Sequence, residues 1–218
     1  MKIRNELECI DYIDRDISWR KKEITSLIFL IEKSREHEKI ILMKSALVLF
    51  YSHWEGHIKN CSIAYLNFLN HQGIKHCQLK ENFHHLSLGE NFRSGFSISK
   101  IQYQIKLYEH LSTIHDKKFK VKEENIIDTN SNLKYDILDT ILLQLGFNST
   151  LFSQKERFIN EILLNNRNAI AHGELRDNKS IEDAYNEVKE HLLPLIEAFN
   201  TLVSNAVASS SYLIKPME

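Results

Sequence analysis

The 218-residue chain is poor in the residues that interrupt regular backbone, with six glycines and two prolines. Glycine and proline are concentrated in turns, so their scarcity argues against a β-architecture, which needs many tight turns. Hydrophobic residues make up 43% of the chain and charged residues 26%, as in ordinary globular proteins with a buried core. The composition therefore predicts an all-α fold.

The sequence also lacks features typical of disulfide-rich, membrane-spanning, secreted and strongly basic proteins. The three cysteines, Cys9, Cys61 and Cys77, are an odd number without Cys-x-x-Cys spacing, which argues against a disulfide framework. No apolar run reaches the length of a membrane span, and the first residues lack the apolar core of a secretion signal. The formal net charge of −1 gives no global basic field. We expect a reduced, cytoplasmic protein without a membrane partner, in which any nucleic-acid site is local or built by assembly.

Hydrophobic repeats predict two long helices in the first third of the chain. Apolar residues from Ile10 to Ile31 recur at spacings of three, four or seven, typical of a helix packed on another helix. From Lys39 to Asn70 the spacing alternates strictly between four and three, at Leu47, Tyr51, Trp54, Ile58, Cys61, Tyr65 and Phe68. Such a repeat indicates a near-antiparallel partner. We predict a long antiparallel helical hairpin with Trp54 in its core.

Additional short helices are predicted in the remainder. They cover residues 98–111, 137–145 and 153–171, and a last helix begins with a capping box at Ser180 and contains Pro194. Residues 71–95 hold three of the six glycines and are predicted to be a connecting loop or an irregular region.

The domain organisation is predicted from the same patterns. Residues 1–208 are expected to form a single helical domain, within which the charged and polar stretch of residues 112–134 is an exposed insertion. Residues 209–218 are expected to be a flexible tail.

The most informative segment is NRNAIAHG, residues 166–173, which contains an Arg-x-x-x-x-His motif. The planar guanidinium of Arg167 matches phosphate oxygens, and His172 can move a proton near neutral pH. Gly173 suits a left-handed helix cap, so the helix is predicted to end at His172. On a continuous helix Arg167 and His172 would lie about 140° apart. The small residues between them would let a second chain approach, and we expect a homodimer whose twofold axis brings two arginines and two histidines together.

The residues around this motif resemble a known superfamily. The string FINEILLNNRNAIAHGE, residues 158–174, closely resembles the motif helix of the HEPN superfamily, and Asn168 is the usual polar companion of its arginine. The string FYSHWEGHIK, residues 50–59, and the pattern from Asn132 to Phe147 resemble the MAE-type HEPN proteins, a bacterial group linked to phage defence. The resemblance covers most of residues 42–172 and implies an all-α, HEPN-like helical bundle.

The resemblance also implies a function. Many HEPN domains are metal-independent endoribonucleases, so Arg167, Asn168 and His172 of two chains would line a shared RNA cleft without any cofactor. The substrate would be tRNA or another cellular RNA, and a 2′,3′-cyclic phosphate would be formed. The protein would be a toxin or antiphage defence effector restrained by a regulatory partner, such as an antitoxin or an ATPase. The alternative is a non-catalytic HEPN-like module that binds a nucleotide or a protein partner such as an ATPase.

Two side chains are possible supports of the cleft. Glu55 and Lys59 lie one helical turn apart, so they form either an ordinary i,i+4 pair or, as the resemblance implies, part of the cleft. His53 and His57 also have a spacing able to hold zinc, but no further ligand completes a site, so we predict two surface or groove histidines.

No metal site is predicted elsewhere. The histidines and cysteine of residues 71–85 match no zinc module. The lysines of residues 117–122 could draw an RNA backbone, but Glu123 and Glu124 dilute that field, which favours a solvated loop. The charged residues off the first helical seam are interpreted as a solvated face: Asp11, Asp14, Asp16, Lys21 and Lys22.

Overall fold

A computed structural model describes residues 2–92 and 97–214 of the chain. Helix α1, Glu6–Lys33, and helix α2, Glu36–His71, are joined by two residues and pack against each other. The third long helix, α9, Asn178–Ala208, packs against both of them. Apart from two isolated β-bridges, the regular elements of the described ranges are helical. The prediction of an all-α fold with a long antiparallel hairpin is confirmed.

Helix α2 is the central helix of the fold, because α1, α9 and α8 all pack against it. Every member of its predicted apolar repeat is buried, and Trp54 lies in the core as expected. Residues between the members of the repeat, such as Phe50 and Leu66, are buried as well, since the helix has neighbours on more than one side. Long as it is, neither α2 nor any other helix in the described ranges is apolar enough over a sufficient length to cross a membrane.

Shorter elements connect the hairpin to α9. They are α3 (Glu81–Asn91), α4 (Ile101–Thr113), α5 (Glu123–Ile126), α6 (Tyr135–Leu145), α7 (Thr150–Ser153) and α8 (Asn165–Ala171). Two 3₁₀ turns, His76–Gln78 and Ile114–Asp116, and a π-helix, Phe158–Leu164, complete the set. Gly146 ends α6 in the left-handed conformation, which glycine adopts without strain.

The region predicted to be a connecting loop, residues 71–95, contains regular structure. It holds the 3₁₀ turn at His76 and all of α3, which buries Phe83 and Leu86 in the core. The short sequence of α3 shows no clear amphipathic period, and Gly89 lies inside it, so its helical state depends on packing against α5 and α6. Residues 93–95 of the predicted loop lie outside the described residues.

The stretch predicted to be an exposed insertion, residues 112–134, is largely anchored to the core. Phe119 and Val121 are buried while Lys118 and Lys120 between and beside them are exposed. Further buried side chains of this stretch are Ile114, Ile127, Thr129 and Leu133. Asn70 of α2 fixes the strand-like part, because its side chain bonds both the N–H and the carbonyl of Val121. Charged and apolar residues alternate here, so the apolar side chains face the core although the stretch as a whole is highly charged.

The two ends of α9 also differ from expectation. The helix begins at Asn178, and Asp177 caps it by accepting a hydrogen bond from the N–H of Ser180, so the predicted capping box at Ser180 is wrong. Pro194 lies inside the helix as predicted. The expected flexible tail is docked through residue 214: Tyr212 is buried, and its carbonyl accepts a hydrogen bond from the N–H of Lys80. Residues 215–218 of that predicted tail lie outside the described residues.

Candidate functional site

The Arg-x-x-x-x-His motif lies on a helical segment that changes its winding just before Arg167. Helix α7 ends at Ser153, residues Phe158–Leu164 form the π-helix, and α8 follows directly. The predicted single helix from Ser153 to Ala171 is therefore interrupted by a turn at residues 154–155 and is helical from residue 156 onward, with a π-helical stretch in its first half. π-Helical turns are rare and occur frequently at functional sites.

A glycine cap ends α8 beside His172. Gly173 has a φ of +73°, and the backbone N–H groups of Gly173 and Glu174 donate to the carbonyls of Ile170 and Ala169. This pair of bonds is a Schellman motif, which needs the left-handed conformation that glycine adopts without strain. The cap terminates the helix at His172, as predicted, and leaves this side chain exposed.

Arg167 is held by an aromatic ring and an amide. Its guanidinium carbon lies 5.0 Å from the ring centre of Tyr51 on α2, and Nη1 donates to Oδ1 of Asn168 at 2.7 Å. Nδ2 of Asn168 in turn donates to Oδ1 of Asn132 at 3.2 Å. Neither the ring nor the amide carries a formal charge, so the half-buried guanidinium keeps its positive charge in a set orientation.

Tyr51 ties this arrangement to the core. The hydroxyl of this buried tyrosine accepts a hydrogen bond from the backbone N–H of Leu133, 2.5 Å away. Burial first, and then the nearby Glu55 carboxylate, raise the pKa of Tyr51 well above its usual value, so the phenol stays protonated. The platform beneath Arg167 is therefore neutral and fixed by the segment that also supplies Asn132.

The two residues predicted as supports of the cleft have different environments. Glu55 lies one helical turn beyond Tyr51, and its buried Oε1 makes no hydrogen bond. Lys59, a further turn along α2, is exposed. Glu55 thus lies beside the Tyr51–Arg167 contact, whereas no hydrogen bond or ion pair joins Lys59 to the motif among the described residues.

The site combines a fixed cation with an exposed proton carrier. Arg167 and Asn168 are in contact and anchored to α2 and Asn132, while His172 lies at the exposed end of α8. Such a set can bind a phosphate through the guanidinium and transfer a proton through the imidazole.

A second polar cluster lies between α1 and α2 and corrects the interpretation of Asp16 as part of a solvated face. Asp16 is buried, and its two carboxylate oxygens accept hydrogen bonds from Nε and Nη2 of Arg20 at 2.7 and 3.1 Å. His57 and Asn60 also bond this carboxylate. Burial alone would raise the pKa of Asp16, but these hydrogen bonds outweigh it and hold the pKa well below its usual value.

The same cluster contains a group with metal-ligand geometry. Ligand atoms of Asp16, His57 and Cys61 lie within 4.8 Å of one another. Both carboxylate oxygens are already bonded to the Arg20 cation, and burial keeps the pKa of Cys61 well above its usual value, so its thiol is protonated. These properties fit a structural role better than a metal site.

The cluster also explains two features of α2. His53 and His57 are buried against α1, so their prediction as surface or groove histidines is wrong. Gly56 lies under the guanidinium of Arg20, where an added Cβ would come within 2.9 Å of Nη1. A glycine is needed in this helix because the arginine of α1 approaches the backbone closely.

Three residues of the site were not anticipated from spacing. Tyr51 belonged to a core repeat, and nothing in the sequence showed that its ring also carries Arg167. Asn132 begins a pattern that resembles the family, but the pattern does not indicate its contact with Asn168. Arg176, whose Nη1 donates to Oδ1 of Asn166, lies outside the Arg-x-x-x-x-His motif, and no residue spacing marks it. These contacts join residues distant along the chain or across a loop.

Comparison of the chain with known protein families identifies the family to which it is similar. The chain matches the RiboL-PSP-HEPN family over residues 15–205, which is most of its length and includes the whole motif. No curated protein and no solved structure matches the chain. The predicted membership of the HEPN superfamily is confirmed, and the all-α architecture agrees with it. The chain therefore belongs to the RiboL-PSP-HEPN family.

Proposed function

We propose that this protein is a metal-independent endoribonuclease with a composite site formed by Arg167, Asn168 and His172 at a homodimer interface. The observation that carries the proposal is the anchoring of Arg167 on Tyr51 and Asn168, five residues before an exposed histidine at the end of α8. A guanidinium that is held in place and keeps its charge is suited to a phosphate that gains charge during reaction. Membership of a HEPN family supports an RNA-related function.

The chemistry follows from the three side chains. The 2′-oxygen of a ribose attacks the adjacent phosphorus, and the bond from phosphorus to the 5′-oxygen breaks. His172 takes the proton from the 2′-hydroxyl or gives one to the leaving 5′-oxygen. Arg167 stabilises the charge on the non-bridging oxygens, and Asn168 orients Arg167. The products are a 2′,3′-cyclic phosphate and a 5′-hydroxyl, and DNA is inert because it lacks the 2′-hydroxyl.

The dimer is part of the proposal because the two functional groups have different environments within one chain. Arg167 is half-buried against α2, whereas His172 is exposed at the helix end. Ala171 and Gly173 beside it are small and exposed, which allows a second α8 to approach. A twofold axis at this point would pair the arginine of one chain with the histidine of the other.

Glu55 supports the site through Tyr51 in this proposal. Its carboxylate lies beside the phenol that carries Arg167 and favours the protonated state of that phenol. Lys59 would contact RNA from the exposed side of α2. The substrate is tRNA or another cellular RNA, and a regulatory partner such as an antitoxin or an ATPase would restrain the activity in a toxin or defence role.

The test is cleavage of total RNA after treatment with EDTA, with DNA of the same sequence as a substrate control. We expect the wild type to cut RNA, and Arg167→Ala and His172→Ala to lose at least about a hundredfold in rate, as for removal of a general acid–base or of a transition-state donor. His37→Ala, which removes an exposed histidine on α2, is the matched control and should cut normally. Folded, dimeric wild type that leaves RNA intact would contradict the proposal.

A second candidate, a non-catalytic module that binds a protein partner, is favoured by one surface. Helix α4 presents Ile101, Ile105 and Tyr108 on one face, and each is more than half exposed. Growth of the host separates the candidates: expression of the wild type should slow growth and His172→Ala should not, if the protein is a nuclease. Equal growth effects of both forms would favour the binding module.

A further inference from the structure

The loop between α8 and α9 folds back onto the motif helix through Arg176. Nη1 of Arg176 donates a hydrogen bond to Oδ1 of Asn166 at 2.7 Å. Asn166 immediately precedes Arg167 on the chain, so the second guanidinium is held beside the motif. The neighbouring Leu175 is 98% exposed, so its side chain takes no part in this anchoring.

The anchor itself is rigid. Asn166 is 4% exposed, and its Nδ2 donates to the carbonyl of Ile162 in the π-helix at 2.6 Å. Both polar atoms of the amide are thus engaged, one with the backbone and one with Arg176. The position of the Arg176 guanidinium is therefore set by a buried group of the helix that carries Arg167.

Arg176 and the buried Arg20 differ in whether a neighbouring carboxylate balances their positive charge. Arg20 donates to both oxygens of the Asp16 carboxylate, and this carboxylate neutralises the positive charge of the arginine. Arg176 is held by a neutral amide, and its acidic neighbour Glu174 lies 4.0 Å away with a largely exposed side chain. The attraction within such a solvent-exposed ion pair is weak, so Glu174 does little to balance the charge of Arg176. Arg176 keeps its positive charge and, of five N–H donors, has used one on Asn166.

We propose that Arg176 binds an RNA phosphate next to the scissile one and so positions the strand across Arg167 and His172. The inference rests on the proposed function and extends it, because it assigns a phosphate-binding residue outside the Arg-x-x-x-x-His motif. Its basis is a guanidinium that is oriented, charged and partly exposed, with 31% of its side chain accessible to solvent. Phosphate oxygens are the acceptors that match such a planar fork.

The test measures RNA binding as a function of salt in a form that cannot cut. His172→Ala is the parent, and a labelled single-stranded RNA is titrated between about 50 and 200 mM salt. Each phosphate contact contributes about 0.7 to the slope of log affinity against log salt for a single strand. Adding Arg176→Gln should lower the magnitude of the slope by about 0.7 and weaken binding about tenfold. A purely structural loop contact would not change the slope.

Matched substitutions keep the result interpretable. Arg157→Gln removes the same charge from an exposed arginine that pairs with Glu161 one turn along the helix, and should leave the slope unchanged. Arg176→Lys keeps the positive charge and should keep the slope, which separates loss of the charge from loss of the contact with Asn166. If Arg176→Gln lowers the melting temperature, binding is measured at a temperature where the parent and all variants are folded.

The outcomes separate this inference from the proposed function. A smaller slope for Arg176→Gln, with the slope of the parent kept by Arg176→Lys and Arg157→Gln, supports the role of Arg176. An unchanged slope in folded protein, with RNA still cut by the wild type and bound by the parent, overturns the role of Arg176 alone. Absence of RNA cleavage by the wild type and of RNA binding by the parent overturns both.

Discussion

Tyr51 serves stability and the site through different parts of one side chain. Its ring carries the guanidinium of Arg167, and its hydroxyl accepts the backbone N–H of Leu133. The first contact joins α2 to the motif helix, and the second joins α2 to the segment that contains Asn132. Because the two contacts use different atoms, two substitutions can separate their effects.

We predict that Tyr51→Phe and Tyr51→Leu differ in activity. Tyr51→Phe leaves the buried N–H of Leu133 without a partner and should lower the free energy of unfolding by about 1–3 kcal/mol, with RNA cleavage largely retained. Tyr51→Leu also removes the aromatic face, and should reduce cleavage about tenfold further at a temperature where both variants are folded. Urea unfolding and initial cleavage rates measure the two effects; equal rates for both variants would refute a role for the ring.

Among the short elements, α3, α4 and the two 3₁₀ turns share a cluster of histidines. His76 of the first turn is buried and contacts the ring of His84 on α3, which in turn contacts His115. His110 of α4 belongs to the same cluster, because its charge acts on His76. Burial first, and then the charges of these three histidines, lower the pKa of His76 to about 4. The packing of these elements therefore requires a neutral His76.

This cluster predicts a loss of stability in mild acid. The pKa of His76 in the folded state is below its ordinary value of 6.5, so the unfolded chain takes up the proton first. The stabilising contribution is complete above about pH 6.5 and decreases toward pH 4. Between pH 7 and pH 5 we expect the wild type to lose about 2 kcal/mol more unfolding free energy than His76→Gln, as measured in urea.

The control for this comparison is a histidine without such burial. His37→Gln changes an exposed side chain at the start of α2 and should show the pH dependence of the wild type. If His76→Gln loses as much stability on acidification as the wild type, the packing of His76 is not the source of the effect. Burial is the largest cause that lowers the pKa values of His53 and His110, so these would then be the next histidines to replace.

The elements that the sequence predicted well are those with a long, regular apolar repeat. Helix α2 was recognised within three residues of either end because its repeat continues over seven positions. Helix α3 and the anchored stretch of residues 117–133 were missed, since their local patterns are short and polar. Their order comes from neighbours such as Asn70, which is 51 residues away from Val121 in the chain.

For the assembled protein, the composite site predicts complementation between inactive chains. Arg167→Ala retains His172, and His172→Ala retains Arg167, so a mixed dimer contains one complete pair from two different chains. If chains exchange freely, about half of the dimers are mixed and the mixture should recover about a quarter of wild-type cleavage. Each variant alone should remain inactive in the same assay.

Subunit exchange has to be measured together with cleavage. Energy transfer between chains labelled with donor and acceptor dyes reports whether mixed dimers form. Recovered cleavage with exchange supports pairing of Arg167 and His172 across the interface. Exchange without recovered cleavage would mean that each site takes both residues from one chain.

The amino-acid sequence was sufficient for the fold class, the core repeat of α2, the motif itself and the end of its helix at His172. These features depend on contacts within one or two helical turns, which residue spacing specifies directly. The tertiary structure alone decided that Tyr51 lies under Arg167, that Asn132 holds Asn168 across 36 residues, and that Asp16 is buried. Such contacts arise where separate elements meet, and no local pattern encodes which polar groups will face one another after packing.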